Sequence, residues 1–362
     1  MTGLTAKMNA QSKILFVGDL NFYSKGASRL SAAEQLGAEV EGLSHTPIGG
    51  DDLGFVPPSL DFRIAWKLGK HLDTEGVNAK IIQSIETSKP DLLWIEKGNM
   101  IKPATLETVR KLSPKTVIAS YSDDDMFNKL NRMHAYTSGL KYYDVIFTTK
   151  SYNANADELP ALGAKRCVMV DKAYDPGQHR PMDLGAMDKG KYGADVGFIG
   201  SYAPERAEVV EYLAESGIPV RVWGNGWQDF SPRSPNLQVK RQPLVNTRKN
   251  LKFSKGICAT RINLGFLRKV NRDLQTDRSV EIPACGGFML AERSDEHERL
   301  FEDGKEAVYF DSNPDLLDKV RYFLDHEDER KAIGLAGRLR CETGGYSHLD
   351  RMRFMLKEAL GG

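Results

Sequence analysis

The feature that most limits this fold is an alternation that runs, breaks off and starts again. Lys13 to Asp19 is an apolar run ending at Gly18. A loop carrying Gly26 follows, then an amphipathic helix from Arg29 closed by Gly37, then a short strand over 38–43. Strand, glycine loop, helix, strand is the start of a βαβ unit. Helices are expected over 62–72, 77–87, 104–112 and 151–161, between strands over 91–99 (leading into a polar tip), 116–121, 143–149 and 166–170. Residues 48–58, rich in glycine and proline, read as a surface loop. After a polar, aperiodic stretch with Pro176 and Pro181 the pattern restarts. Ala194 to Ser201 is a strand, Arg206 to Ser216 a helix, and Val220 to Gly224 the next strand. Each half is long enough to bury its own core. The expectation is an α/β chain of two Rossmann-like βα-repeat domains facing across a cleft. The first spans 1–180, the second 181–345, and a closing helix lies within 346–362.

Composition excludes several classes. A net charge of +1 gives no global signal for nucleic acid or an anionic membrane. No apolar run is long enough to span a bilayer. The first eleven residues lack the apolar core of a secretion signal and read as a frayed tail. Cys167, Cys258, Cys285 and Cys341 have neither metal nor redox spacing, which suits inert thiols in a reducing, cytoplasmic setting. No full GxGxxG follows the first strand, which argues against a dinucleotide cofactor.

Parallel sheets place ligands off the carboxyl ends of their strands. Glu96 and the run Asp123-Asp124-Asp125 therefore share one rim. Three aspartates fit a helix N-cap with a negative first turn, a carboxylate serving an acceptor hydroxyl, or a metal site. No His or Cys stands beside them. In the second half, Gly200 and Ser201 precede a helix that carries Arg206, a backbone cradle with a cation for phosphate, or an ordinary βα turn. Gly224-Asn225-Gly226 repeats the theme one strand over, with Trp223 and Trp227 as base-stacking or core aromatics.

The stretch from Asn271 to Glu292 reads as loop, short helix, glycine turn and buried strand. Asp277 or Ser279 suits the helix start and Gly286-Gly287 its end, while Pro283 keeps the helix short. A helix start with Arg278 suits a diphosphate, and Glu281 one turn on suits ribose hydroxyls. The same spacing fits a plain i,i+3 ion pair. From Lys240 to Arg278 eleven basic residues face only Asp273 and Asp277. That excess suits an anion, either a nucleotide diphosphate or an anionic acceptor, or else a solvated face.

The run from Arg278 to Leu290, then Glu296-His297, Leu300 to Ala307, Leu316 to Val320, Tyr346 and Arg351, resembles the C-terminal signature of the CgeB-like (spore maturation) glycosyltransferases. These are two-domain GT-B proteins with a group 1-type C-terminal domain. The likeness is specific over roughly 255–355 and is one of pattern before that. It implies metal-independent transfer of a sugar from a UDP-, GDP- or dTDP-linked donor to a hydroxyl-bearing acceptor, with no further cofactor. The donor residues would be Gly200, Ser201, Arg206, Gly224, Asn225, Asn271, Arg278, Glu281, Gly286 and Gly287. Arg278 would also stabilise the leaving diphosphate, Asp123 or Asp124 would serve the acceptor, and Glu96 would complete the catalytic set. Many retaining GT-B transferases carry histidines at the ends of these two strands, where this chain has Glu96 and Ser122-Asp123. The closing helix of such folds crosses back onto the first domain. The acceptor could be a polysaccharide, a lipid or a protein, with peripheral membrane contact open and nucleic acid not expected. A degenerate GT-B protein binding an anion and a nucleotide-sugar epimerase are the alternatives.

Overall fold

A computed structural model describes residues 12–50, 56–68 and 72–361. The expected N-terminal tail and residues 69–71 of the helix expected over 62–72 lie outside the described residues. In the first unit the elements are β1 (Lys13–Gly18), α1 (Lys25–Gln35), β2 (Glu39–Ser44), α2 (Leu60–Lys67), α3 (Val77–Ser88), β3 (Leu92–Glu96), α4 (Pro103–Leu112), β4 (Val117–Ser122), α5 (His134–Gly139), β5 (Val145–Thr148) and β6 (Cys167–Met169). All strands pair in parallel in the order β2-β1-β3-β4-β5-β6, with Phe16 beside Trp94 and Trp94 beside Ala119.

Alternation decides which layer each side chain enters. Leu15, Val17, Leu93, Ile95 and Ile118 pack toward Ile81, Ile85, Leu106 and Val109 of α3 and α4. Ile14, Phe16, Leu92, Trp94 and Phe147 point the other way, toward Ala32 and Ala33 of α1. The Ser24 hydroxyl caps α1 by accepting from the Ala27 N–H at 3.2 Å, and Gly37 closes it with a φ of +91°. Instead of a helix over 151–161, the chain makes two 3-10 turns, Ser151–Ala154 and Pro160–Leu162. The buried Asn153 donates to Glu158 at 2.8 Å, and Pro160 lacks the N–H a helix would need.

The second unit contains α6 (Ala186–Tyr192), β7 (Ala194–Ile199), α7 (Pro204–Glu215), β8 (Val220–Trp223), β9 (Leu237–Lys240), α8 (Lys252–Ala259), β10 (Thr260–Gly265), α9 (Arg278–Ala284), β11 (Met289–Glu292), α10 (Asp295–Leu300), β12 (Val308–Phe310), α11 (Asn313–Asp325) and α12 (Glu327–Thr343). Its strands are parallel in the order β12-β11-β10-β7-β8-β9. One sheet face packs on α7 and α11 through Val210, Leu213, Leu316 and Val320, the other on α8 and α9 through Ile257, Val280 and Ile282.

The chain divides at Asp171 and Lys172, not near 180. The polar stretch that reads as a linker is tied to the second unit. The Lys172 N–H donates to Gln275 Oε1 at 2.9 Å, Tyr174 bridges Ser347, and Ser254 Oγ donates to the Gln178 carbonyl at 2.5 Å. From His348 the chain belongs to the first unit again. There α13 (His348–Leu360) buries Met352, Met355 and Leu356 against the face that holds α1. Among the described residues no helix is long and apolar enough to cross a membrane.

Candidate functional site

In the first unit the rim forms where β3 and β4 end. Lys97 and Gly98 follow β3 with φ of +63° and +78°, a left-handed pair that turns the chain out of the sheet. For a lysine this backbone is costly, and strain of this kind gathers at functional positions. It is held by the Lys97 N–H donating to the Tyr121 carbonyl at 2.6 Å and by the Lys97 ammonium, 2.5 Å from Asp124 Oδ2.

Beneath this turn Arg29 of α1 is 3% exposed. Its Nε and Nη2 donate to the two carboxylate oxygens of Glu96 at 2.8 and 2.5 Å. The guanidinium lies 4.0 Å from the centre of the Tyr121 ring, and Nη2 is 3.8 Å from Asp123 Oδ2. Burial alone would lower the Arg29 pKa, but Glu96, then Tyr121 and Asp123, outweigh it and hold the cation above its ordinary value. Trp94 Nε1 also donates to Glu96 at 2.8 Å. Both Glu96 oxygens are thus bound, which makes this residue an anchor for Arg29 and not an exposed acid or base. Sequence reasoning passed over Arg29. Its signal was a charged residue on the inward face of α1, beside Ala32 and Ala33.

The three aspartates separate by role. Asp125 is fully buried; its Oδ1 accepts from the Phe127 and Asn128 N–H groups and from Asn153 Nδ2, at 3.1, 3.3 and 2.9 Å. These bonds close a turn, so the expected helix cap before residues 126–130 is absent and the chain runs on in turns. Asp123 accepts from the Tyr121 hydroxyl at 2.9 Å, and Asp124 pairs with Lys97; both stay partly exposed. With Asp19, Arg29, His45 and Glu96 they line a pocket of about 320 Å³. The His45 pKa is lowered, chiefly by burial, against the pull of Asp19 and Glu96.

In the second unit the candidate residues gather where β7, β8 and β10 end. Gly200 and Gly224 lie back to back, and a Cβ on Gly224 would run into the Gly200 carbonyl oxygen. Trp227 Nε1 donates to that same oxygen at 3.0 Å, and the Tyr202 N–H donates to the Asn225 carbonyl at 2.8 Å. Trp223 and Trp227 are core residues, so the base-stacking alternative fails for both; Tyr202, edge-on to Trp227, is the exposed aromatic here.

Arg206 is 6% exposed and, among the described residues, donates only to carbonyls, those of Ser201 at 3.2 Å and Phe266 at 3.4 Å. Among the described residues its Nε has no partner. Burial first, then neighbouring Arg268, lowers its pKa. Arg278 Nε donates to the Ile199 carbonyl at 2.9 Å, which brings the start of α9 to the end of β7. Its guanidinium lies 4.6 Å from the centre of the Phe253 ring. Its Nη1 donates to Glu281 Oε2, and the other Glu281 oxygen is 3.6 Å from His179 Nε2. The i,i+3 ion pair is therefore formed, between groups that also sit at the strand ends. Asn271, in a 3-10 turn after β10, donates to Asp273 at 2.8 Å.

Three expectations need correction. Gly286 and Gly287 precede β11, so they lie at the amino edge of the sheet, away from the strand ends that hold Arg278. Their N–H groups are used within the chain, donating to Pro283 and Ile282 carbonyls at 2.7 and 3.1 Å as a helix C-cap, with Gly286 at φ +74°. The helix start is also weaker than expected. α9 has seven residues, and Asp277 makes no side-chain cap. The basic segment, finally, is not one face. Arg261 pairs with Asp195 at 2.9 Å and Lys255 with Asp188 at 3.0 Å, near the amino edge, whereas Arg268 lies by Arg206. Among the described residues no three His, Cys, Asp or Glu side chains converge to hold a metal ion.

Residues 206–357 match a family described as glycosyl transferase-like. No curated protein matches the sequence. Solved structures match over nearly the whole chain. The Anabaena protein HepE, in complex with UDP and glucose, is 12% identical with a TM-score of 0.59, over 96% of this chain and 99% of that one. Sucrose-phosphate synthase of Thermosynechococcus elongatus is 10% identical with a TM-score of 0.61, over 96% and 98%. A glycosyltransferase of Rickettsia africae is 12% identical with a TM-score of 0.65, over 97% and 99%. At these identities the likeness is one of fold. The chain shares the GT-B fold of two Rossmann-like units, and the stretch that matches the glycosyl transferase-like family covers most of its second unit.

Proposed function

We propose that this protein is a glycosyltransferase of the CgeB-like branch, moving a sugar from a nucleoside diphosphate to a hydroxyl-bearing acceptor. The observation that carries this is the set of groups at the ends of β7 and β10. Arg278 is anchored to Ile199 beside Gly200, Glu281 is buried within its reach, and Arg206 is a buried cation bonded to the Ser201 and Phe266 carbonyls. All of them lie within or next to the stretch that matches a glycosyl transferase-like family. That HepE was solved with UDP and glucose makes UDP the first nucleotide to try.

The chemistry is a displacement at the anomeric carbon. The bond from that carbon to the diphosphate oxygen breaks, and its electron pair leaves on the diphosphate. The acceptor oxygen forms the new bond, and its proton passes to a carboxylate, Asp123 or Asp124. Arg206 and Arg278 offset the charge that develops on the leaving group, a contribution that fixed charges in a dry site make large. In this reading they take the part a metal ion plays elsewhere. Glu281 holds the ribose hydroxyls, exchanging part of its bond to Arg278 for them. Gly200 and Gly224 pack backbone against backbone, a contact that a Cβ on Gly224 would break, and so hold the two strand ends beside the donor. Glu96 positions Arg29 and through it Asp123.

Thermal stability against UDP, GDP, dTDP and CMP and their sugars, measured with and without EDTA, tests the reading. A ligand at about 100 times its dissociation constant adds roughly 2.7 kcal/mol. A shift with one diphosphate family, lost in Arg278→Ala and in Glu281→Ala, is the expected result. No shift with any nucleotide would refute the donor site, and a shift abolished by EDTA would refute metal independence. Transfer with release of free nucleotide then separates this enzyme from an epimerase.

A further inference from the structure

The first unit holds a second cavity, of about 510 Å³, that the donor chemistry does not use. It lies between α2 and the turn after β3, lined by Pro58, Phe62, Met100 and Ile101, with Arg63 and Lys67 on its α2 side. His45, Glu96 and Lys97 line both this cavity and the polar pocket that holds Asp123 and Asp124. A ligand could therefore place a hydroxyl among the aspartates and an apolar part beside it, without leaving the unit. Beyond the cavity, other apolar residues of this segment face outward. Leu60 and Ile64 of α2 and Leu68 just past its end, spaced four apart, are 69%, 52% and 71% exposed. Such a stripe is unusual on a surface helix, and here Arg63 and Lys67 flank it. Apolar residues flanked by cations complement an amphiphile or an anionic lipid surface.

We propose that the acceptor is an amphiphile, a hydroxyl-bearing head carried on an alkyl chain, with the chain seated in the cavity between α2 and the turn at Met100. This inference rests on the transferase reading for the word acceptor, but the binding it describes does not. The cavity's size suits a small organic ligand, and its lining offers an alkyl chain Phe62, Met100 and Ile101 to pack against. The head would then meet Lys97 and the aspartate pair.

Calorimetric titration of the full chain with methyl, hexyl, octyl and decyl β-glucosides, each below its micelle concentration, tests the proposal. Affinity should rise with chain length, by up to about fourfold for each methylene that becomes buried. Phe62→Asp and Met100→Asp should remove the chain-length dependence while circular dichroism and melting stay close to wild type. Equal affinity for the methyl and decyl compounds overturns the proposal. So does a chain-length dependence that both variants retain, since the alkyl chain then binds elsewhere. Co-sedimentation with vesicles of anionic and of neutral phospholipid identifies the source of the amphiphile. Binding to anionic vesicles that Ile64→Asp with Leu68→Asp abolishes supports an amphiphile drawn from a bilayer. Chain-length-dependent titration without vesicle binding supports a free one. None of these titrations contains a nucleotide, so they can fail while the nucleotide shifts succeed, and the reverse.

Discussion

Replacing Arg29 by methionine would remove the cation around which the first unit's rim is assembled. Methionine keeps the unbranched stem and loses the two bonds to Glu96 and the contact with the Tyr121 ring. Glu96 would then be a buried carboxylate whose one remaining side-chain donor, among the described residues, is the Trp94 N–H. Removing one partner of a buried pair costs about 3–5 kcal/mol, mostly the cost of the charge left behind. In a unit of this size each kcal/mol moves Tm by roughly 2–4 °C, so a fall of about 6–20 °C is expected. Thermal melts followed by tryptophan fluorescence would measure it, with urea titrations giving the free energies. Glu96→Gln should cost a similar amount, because it leaves the cation buried beside Asp123. The double variant should then cost at least about 2 kcal/mol less than the sum of the two, the mark of a coupled pair. Arg29→Lys should fall between, since an ammonium cannot match both carboxylate oxygens with a planar fork. A loss under about 1 kcal/mol for Arg29→Met, or additive single variants, would refute the claim that this pair organises the rim.

Other outcomes follow from the same geometry. His297 is buried, its Nδ1 2.7 Å from the Glu292 carbonyl and its Nε2 2.6 Å from the Ser279 hydroxyl. Burial, against the pull of that carbonyl and of Asp273, lowers its pKa to about 4. The unfolded imidazole takes its proton near pH 6.5, so between these values the unfolded chain binds more protons. Stability should be full above pH 6.5 and fall by up to about 3 kcal/mol as pH drops to 4, and His297→Gln should flatten that slope in urea melts. Lys89 ends α3 with a φ of +44°, where glycine carries no penalty, so Lys89→Gly should raise stability by about 1 kcal/mol. Gly224→Ala should cost about 3 kcal/mol or fail to fold, since its Cβ meets the Gly200 carbonyl; an unchanged melt would show that the two glycines do not need close contact.

Two parallel sheets were legible from the pattern of residues alone. Near-continuous apolar runs such as Lys13–Gly18 and Ala194–Ile199, set between amphipathic helices, leave few other ways to bury both faces. The pattern also showed which strand ends would meet, because in a parallel sheet that follows from strand direction alone. Local chemistry that depends on distant partners was not legible. The run Asp123-Asp124-Asp125 is three identical residues in a row, yet one closes a turn with Asn153, one pairs with Lys97 and one lies by Arg29. Arg29 and Glu96 are 67 residues apart, and nothing in either neighbourhood announces the other. Gly286 and Gly287 show the same limit from the opposite side. Their place in the signature pointed to the ligand, but seven residues of helix carry them to the other edge of the sheet. Composition and periodicity act within a few residues and so fix the elements. Charge pairing and burial act across the fold, so only the tertiary structure decides which side chains meet.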